Sequence, residues 1–291
     1  METKKPKAPT LKQLMARFPD DAACLEHLFR VRWGVRHACV KCGRDAKYYR
    51  VKARRSYECE HCGHQVYPTA GTPFHATRTS LCDWFFVMHL FCASRNGVAA
   101  KEVQRQIGVT YKTAWRMCSE IRKYMGYVDG DHPVGGPSAP IVEIDETFVG
   151  GHDKKGQDDK HIVLGMVERG GDVVTRVIPT RKGEHIHPSV AQYVIPRSRI
   201  ATDEAPVYGA LSVHHRLATV HHARNEWVRG DIHTNTIESF WAMLKRGING
   251  TYIHVSQKHL QKYLWEFEFR HNLRKQPHLM MDFLLLSFPR P

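Results

Sequence analysis

The sequence predicts an α/β protein built in series: a zinc ribbon, a helical region in helix-turn-helix order, and a larger α/β domain with three spaced carboxylates. Three observations predict it. Cys39-x-x-Cys42 and Cys59-x-x-Cys62 are separated by 16 residues, two helical patterns flank Gly108, and Asp145, Asp203 and Glu238 fall on a strand, a strand end and a helix.

The chain of 291 residues is long enough for one sizeable core and one or two small modules. No apolar run approaches the roughly 20 residues of a membrane span. Lys4, Lys5 and Lys7 are followed by no apolar segment, so a secretory signal is not expected and a cytoplasmic location is. In a reducing compartment the eight cysteines would not form a disulfide framework. With 43 Lys plus Arg against 29 Asp plus Glu, the net charge of +14 points to a polyanionic partner, although charge alone also suits mere solubility.

The ribbon is the sharpest local signal. Two residues between thiols let both face one ion, and Gly43 and Gly63 after each pair permit the tight turn of a knuckle. Four thiolates from Cys39, Cys42, Cys59 and Cys62 close a tetrahedral site, which makes the zinc structural. His37, His61 and His64 are spare donors. Cys24, Cys82, Cys92 and Cys118 sit in helix-like apolar surroundings and read as core. Between the knuckles, Lys47 to Lys52 with Arg54, Arg55 and Tyr57 form a basic, aromatic-rich hairpin. It suits phosphate contacts and equally the solvated face of a small ribbon.

Beyond the ribbon, Leu81, Trp84, Phe85, Met88 and Phe91 recur at helical spacing and belong to a core. Val98 to Ile107, then Gly108-Val109-Thr110, then Tyr111 to Tyr124 give helix, turn and helix. Thr110 caps the second helix, and Lys112, Arg116 and Arg122 extend toward DNA. Ordinary two-helix packing predicts much the same pattern; the adjacent ribbon and the net charge favour DNA binding.

Glycine and proline between Gly126 and Pro140 predict a linker. After it, Ile141 to Gly151 reads as an apolar strand interrupted by acids. An ionised group buried without a partner is costly unless it binds a cation, so Asp145 is the first candidate ligand. Strands at His161–Glu168 and Val173–Thr180 and a helix at His187–Val194 follow, an order that resembles the opening of a ribonuclease H-like domain. The strand Ser198 to Asp203 ends in the second acid, where strand ends line a crevice. A helix from His233 supplies Glu238, with Lys245 two turns later on nearly the same face. Trp265, Phe267 and Phe269 in the last helical stretch read as packing residues.

These residues resemble a bacterial insertion-sequence transposase of the DDE type, in the zinc-ribbon-bearing ISXO-like group. The resemblance rests on the paired knuckles, Ile144-Asp145-Glu146-Thr147-Phe148-Val149-Gly150-Gly151, Thr202-Asp203, and the run His233 to Gly247, and it covers nearly the whole chain. It implies a ribonuclease H-like fold and a magnesium-dependent enzyme. That enzyme would cut element ends at inverted repeats and join the 3′ hydroxyl to target DNA. Two Mg²⁺ or Mn²⁺ ions would be held by Asp145, Asp203 and Glu238, with Lys245 and Arg246 on a phosphate. Members with asparagine as third residue make Asn235 an alternative to Glu238, whose charge and distance from Lys245 favour it. Double-stranded DNA is the implied partner, a dimer or larger assembly on it the implied state, and a bacterial, nucleoid-associated location follows. An inactive or domesticated DNA-binding derivative, or another ribonuclease H-like nuclease, are the alternatives.

The expected organisation is an N-terminal helical segment at 1–35, the zinc ribbon at 36–70 and the helix-turn-helix-like region at 78–126. A linker at 127–140, the catalytic domain at 141–275 and a C-terminal tail at 276–291 complete it.

Overall fold

The computed structural model describes residues 7–150, 160–220 and 228–288. Lys4, Lys5 and Gly151, which figured in the sequence reading, lie outside them. The chain divides into two compact units: Met1–Ser94 with Ala100–Tyr124 and Gln276–Pro291, and Arg95–Ala99 with Met125–Lys275.

The first unit begins with helices α1 (Leu11–Arg17) and α2 (Asp21–Trp33). Thr10 and Gln13 form a reciprocal capping box on α1, and Asp20 caps α2 by accepting from the Ala23 amide. The ribbon follows as a pair, β1 (His37–Ala38) and β2 (Asp45–Ala46), and a three-stranded antiparallel sheet, β3 (Tyr48–Val51), β4 (Ser56–Cys59) and β5 (Gln65–Val66). Helix α3 (Leu81–Ala93) buries the predicted stripe, with Leu81, Trp84, Phe85, Met88 and Phe91 at most 1% exposed. Helices α4 (Ala100–Ile107) and α5 (Tyr111–Asp129) meet at Gly108, whose φ of +69° only glycine adopts without strain. Thr110 Oγ1 accepts from the Thr113 amide at 3.2 Å and so starts α5. The C-terminal segment forms α9 (Met280–Leu286), tied to this unit through Asp282 with Arg17 and the Leu284 carbonyl with the Tyr124 hydroxyl.

Two features depart from the sequence reading. Helix α5 continues to Asp129, so the first residues of the expected 127–140 linker are helical. Gly126 is there for packing: a Cβ on it would stand 2.5 Å from the Trp265 ring, so the glycine lets that indole lie against the helix. Residues Arg95–Ala99 belong to the second unit, where the Val98 amide donates to the Tyr252 hydroxyl.

The second unit is a five-stranded mixed sheet. Strands β6 (Val142–Val149), β7 (His161–Glu168) and β8 (Val173–Ile178) form an antiparallel meander, followed by α6 (Gly183–Tyr193). Strand β9 (Arg199–Thr202) returns parallel to β6, and after a 3-10 turn at Pro206–Val213, β10 (Arg216–Thr219) lies parallel to β9. The spatial order is β10-β9-β6-β7-β8. Helix α7 (Asn235–Gly247), a π-helical turn (Ile248–Tyr252) and α8 (Gln257–Asn272) complete it. Strand alternation separates two cores. Ile144, Leu164, Met166 and Val174 pack with Ile186 and Val190 of α6, whereas Val163, Val167 and Val173 pack with α7 and α8. Ile237, Phe240, Trp241 and Leu244 recur at helical spacing as the buried stripe of α7.

Candidate active site and zinc knuckles

Each knuckle closes through a left-handed glycine: Gly43 (φ +70°) donates to the Cys39 carbonyl at 2.8 Å, and Gly63 (φ +64°) to that of Cys59 at 3.0 Å. One sulfur from each of Cys39, Cys42, Cys59 and Cys62 lies within 4.8 Å of the others. Cys39 Sγ is 3.6 Å from Cys62 Sγ, and Cys42 Sγ is 4.0 Å from Cys59 Sγ. Zinc bonded to sulfur at about 2.3 Å has a tetrahedral edge of roughly 3.8 Å, so the four thiols fit that ion without rearrangement. His37 instead stacks on Tyr48 at 4.1 Å, as part of the ribbon's packing. About one zinc per chain is expected in protein purified without chelator, and Cys59→Ser should lose it together with cooperative melting of the ribbon. Metal analysis that finds no zinc in the wild type would remove this assignment.

The basic residues expected to meet DNA divide by exposure. Arg54 and Lys112 are exposed, and Tyr111 stands beside Lys112 on the first turn of α5 with 46% of its surface open. Arg122 is buried, which corrects the sequence reading, and the partly exposed Arg55 is held by contacts within the fold. Arg55 pairs with Asp21 at 2.9 Å and donates to the Thr77 and Thr79 carbonyls, pinning the hairpin to the segment before α3. Arg122 is 3% exposed, its guanidinium 5.1 Å from the centre of the Phe91 ring. Arg116 is half-buried over Trp84. A long guanidinium stem can stack inward as readily as it can reach outward, and sequence position does not separate the two.

The acids of the second unit are built around β6. Glu143, Asp145 and Thr147 alternate onto the face covered by α7, while Ile144 and Glu146 face α6. Val142 and Glu143 pair in parallel with Ile200 and Ala201 of β9, so Asp203, just past the end of β9, lies near Asp145, on which its charge acts. Asp203 begins the turn beyond β9, and its Oδ1 accepts from the Ala205 amide at 3.1 Å. Burial, reinforced by the charges of Glu146 and Asp203, pushes the Asp145 carboxyl up to about 6. The Trp241 indole opposes this shift by donating to Asp145 Oδ2 at 3.0 Å.

That hydrogen bond depends on Gly165, the partner of Asp145 on β7. A Cβ there would stand 2.5 Å from Trp241 and 2.8 Å from Ile237. Gly165→Ala is expected to cost about 1–3 kcal/mol by overpacking and to move the indole off Asp145. Urea unfolding with tryptophan fluorescence tests this, and an unchanged midpoint and spectrum would sink it.

Glu238 occupies the first turn of α7, one turn before Trp241, and Lys245 follows two turns later; both are exposed. In projection Glu238 lies about 60° from Trp241 and Asn235 about 120°. The Glu238 carboxylate is folded back onto its own helix start, accepting from Thr234 Oγ1 at 2.8 Å. Accordingly, Asp145, Asp203 and Glu238 do not form a group with all ligand atoms within 4.8 Å. Arg246 is exposed beside Lys245, its Nε donating to the Ala242 carbonyl.

Glu143 was missed by the sequence reading. It is fully buried and accepts from the Thr236 amide (2.7 Å), the Thr236 hydroxyl (2.8 Å), the Ile237 amide (3.0 Å) and Arg169 Nε (2.6 Å). His233 Nδ1 stands 3.2 Å away. This carboxylate fastens the N-terminus of α7 to β6, where the helix dipole favours a negative charge. The same reasoning that singled out Asp145, a charge in an apolar strand, applies to Glu143, but three of its four donors come from a segment over 90 residues distant and the fourth, Arg169, from the turn at the far end of the next strand.

Among the described residues, three carboxylates do meet within 4.8 Å: Asp129, Asp131 and Glu268. They gather at β8, the edge of the sheet away from β9, and Glu268 has no exposed surface.

A four-thiol ribbon and a mixed sheet with an acid on β6 and another just past its parallel neighbour β9 fit a zinc-ribbon protein with a DDE-type transposase domain. Residues 136–272 match the ISXO2-like transposase domain, and residues 19–65 match the transposase zinc-ribbon domain. The chain belongs to the ISXO2-like transposase family. It is 25% identical over 276 residues to an uncharacterized protein in transposable element ISH50 of Halobacterium salinarum, covering 86% of this chain and 90% of that protein. That relative is archaeal, so the expected bacterial location finds no support. No helix among the described residues is long and apolar enough to cross a membrane.

Proposed function

We propose that this chain is a metal-dependent DNA transposase that cuts insertion-element ends at inverted repeats and joins the freed 3′ hydroxyl to target DNA. The observation that carries the reading is the parallel pairing of β6 with β9, which brings Asp203, just past β9, near enough for its charge to act on Asp145, with the first turn of α7 fastened to β6 by Glu143. The strand order, three antiparallel strands followed by two parallel ones, supports a ribonuclease H-like fold.

Asp145, Asp203 and Glu238 are the proposed ligands of two Mg²⁺ or Mn²⁺ ions. Such ions, when bound, activate the attacking oxygen, stabilise the leaving oxygen and neutralise phosphate charge. The donor set fits: hard carboxylate oxygens, with Asp145 held above its ordinary range by burial and by the charges of Glu146 and Asp203. Glu238 rather than Asn235 is the third ligand because it projects nearer the Trp241 side of α7. To hold a cation there, its carboxylate would give up the hydrogen bond that it accepts from the Thr234 hydroxyl. Lys245, two turns along, would hold a phosphate, with Arg246 beside it. Asp129, Asp131 and Glu268 are poorly suited to the reaction, because a fully buried Glu268 offers a DNA phosphate no approach.

Double-stranded DNA is the partner, and joining two element ends calls for a dimer or larger assembly on it. Arg54 and Lys112, with the exposed start of α5, form the proposed DNA-contacting surface. Lys112→Ala is expected to weaken binding about equally for all sequences and to reduce the salt slope by about one; an unaltered slope would remove Lys112 from the interface.

The decisive experiment offers labelled repeat-end DNA and a target to wild type and Asp203→Ala with Mg²⁺. Nicking and joining in the wild type, lowered by about 10³-fold or more in the variant, are expected. Equal cleavage by both would overturn the assignment, and binding without cleavage in Mg²⁺ and Mn²⁺ would favour a DNA-binding derivative.

A further inference from the structure

Helix α8 carries two fully buried glutamates with opposite fates. Glu266 is closed within the fold, accepting from the Tyr252 hydroxyl and paired with Arg270 at 2.5 Å. Glu268 is only half satisfied. Its Oε1 accepts from the Thr175 amide at 2.7 Å and from the Thr175 hydroxyl, whereas Oε2 is buried with no hydrogen-bond partner. An oxygen in that state costs free energy unless something electropositive faces it.

Asp129, at the end of α5, and Asp131, just beyond it, face the same spot. One oxygen of each lies within 4.8 Å of the others and of one from Glu268. Asp129 receives both of its hydrogen bonds from Asn272 Nδ2, at 3.0 and 3.1 Å. Asp131 Oδ2 pairs with Arg176 at 2.5 Å, but its Oδ1 is also buried without a partner. Asn272 is occupied elsewhere too, its Oδ1 accepting from the Val173 amide. Against three carboxylates, the facing cation is Arg176, itself stacked on Tyr193 at 4.1 Å. The side chains gathered there are predominantly acidic, and two of their oxygens are buried without a hydrogen-bond partner.

We propose that Asp129, Asp131 and Glu268 bind a hard divalent cation of the calcium class, a structural site separate from the reaction centre. Oxygens at 2.3–2.6 Å from Ca²⁺ stand at most roughly 5 Å apart, so the spread of these three fits one ion among them. The cation would satisfy Glu268 Oε2 and Asp131 Oδ1 and fasten the end of α5 to α8 and β8. Burial, with the charges of Asp131 and Asp172 and against the hydrogen bond from Asn272, holds the Asp129 carboxyl up at about 7. The groups acting most strongly on the cluster are Arg176, Asn272, Thr175 and Asp172.

The test uses the full zinc-loaded chain carrying Asp145→Asn and Asp203→Asn, so that the proposed reaction centre does not report. CaCl₂ titration by calorimetry is expected to show about one site, and melting temperature to rise by about 5 °C at saturation. Glu268→Gln added to this background should abolish both responses. Asp131→Asn, at a less buried position, should weaken calcium binding by tenfold or more and serves if the Glu268 variant fails to fold. No calcium heat and no shift in the parent would overturn the proposal, as would a response that persists in both variants. The first result, with Glu268→Gln more stable than its parent, would instead mean that the acids share a proton.

Discussion

Asp145→Asn is expected to abolish strand cleavage and, in the absence of divalent cations, to make the protein more stable. The carboxyl titrates near 6 in the fold against an ordinary value of 3.8, because burial and the charges of Glu146 and Asp203 oppose its ionisation. Between those two values the folded chain holds a proton that the unfolded chain has released, so stability falls as pH rises through that window. Above about pH 6 the ionised group carries the full penalty, on the order of 2–3 kcal/mol at about 1.4 kcal/mol per unit. An amide carries no such charge, and its oxygen still accepts from the Trp241 indole. Metal-free Asp145→Asn should therefore melt roughly 5 °C above wild type at pH 7.5, with the gap closing as pH approaches 4. Added Mg²⁺ should stabilise the wild type more than the variant, since a cation supplies the missing counter-charge. Cleavage should fall by about 10³-fold or more. A variant less stable than wild type in chelator at pH 7.5 would show that the carboxylate is already satisfied by the protein, and the proposed metal site would lose its strongest physical support.

The contrast between Asp145 and Glu143 also shows where sequence reasoning stops. Local signals carried far: the two Cys-x-x-Cys turns, the helical spacing of α3, the turn at Gly108 and the alternation along β6 to β8 all depend on residues close in sequence. What failed was long-range. Glu143 and Asp145 read alike as acids in an apolar strand, and only the fold reveals that four donors surround one while an indole and two like charges meet the other. Arg122 reads as an outward basic residue, yet it lies buried against Phe91. Gly126 read as a helix breaker because its packing partner, Trp265, lies some 140 residues later. Strand β10 was overlooked because Arg216–Thr219 is a short edge strand, half-exposed and without a long apolar run. The Asp129, Asp131 and Glu268 group joins the end of α5 to a helix more than 130 residues on, and no local spacing announces it.

Glu143→Gln is the second large effect expected, and it differs from Asp145→Asn in direction. The carboxylate accepts from two backbone amides at the start of α7 and from Arg169, which also donates to the His233 carbonyl at 2.9 Å. An amide offers one oxygen where two are used, and its NH₂ would confront a donor. Removing the charge also leaves Arg169, 19% exposed, without its ion-pair partner. A buried pair broken this way typically costs about 3–5 kcal/mol, and the partial exposure of Arg169 puts the expected loss nearer 2–4 kcal/mol. The functional consequence follows from geometry. Thr236 and Ile237 sit immediately before Glu238, so freeing them lets the third proposed ligand swing relative to Asp145. The Mg²⁺ concentration that half-saturates cleavage should rise about 10- to 100-fold, the range for losing a group that orients metal ligands. DNA affinity in chelator should be unchanged, because the exposed start of α5 is untouched. A variant that is merely less stable, with the Mg²⁺ dependence of wild type below its melting temperature, would show that Glu143 supports the fold but does not position Glu238.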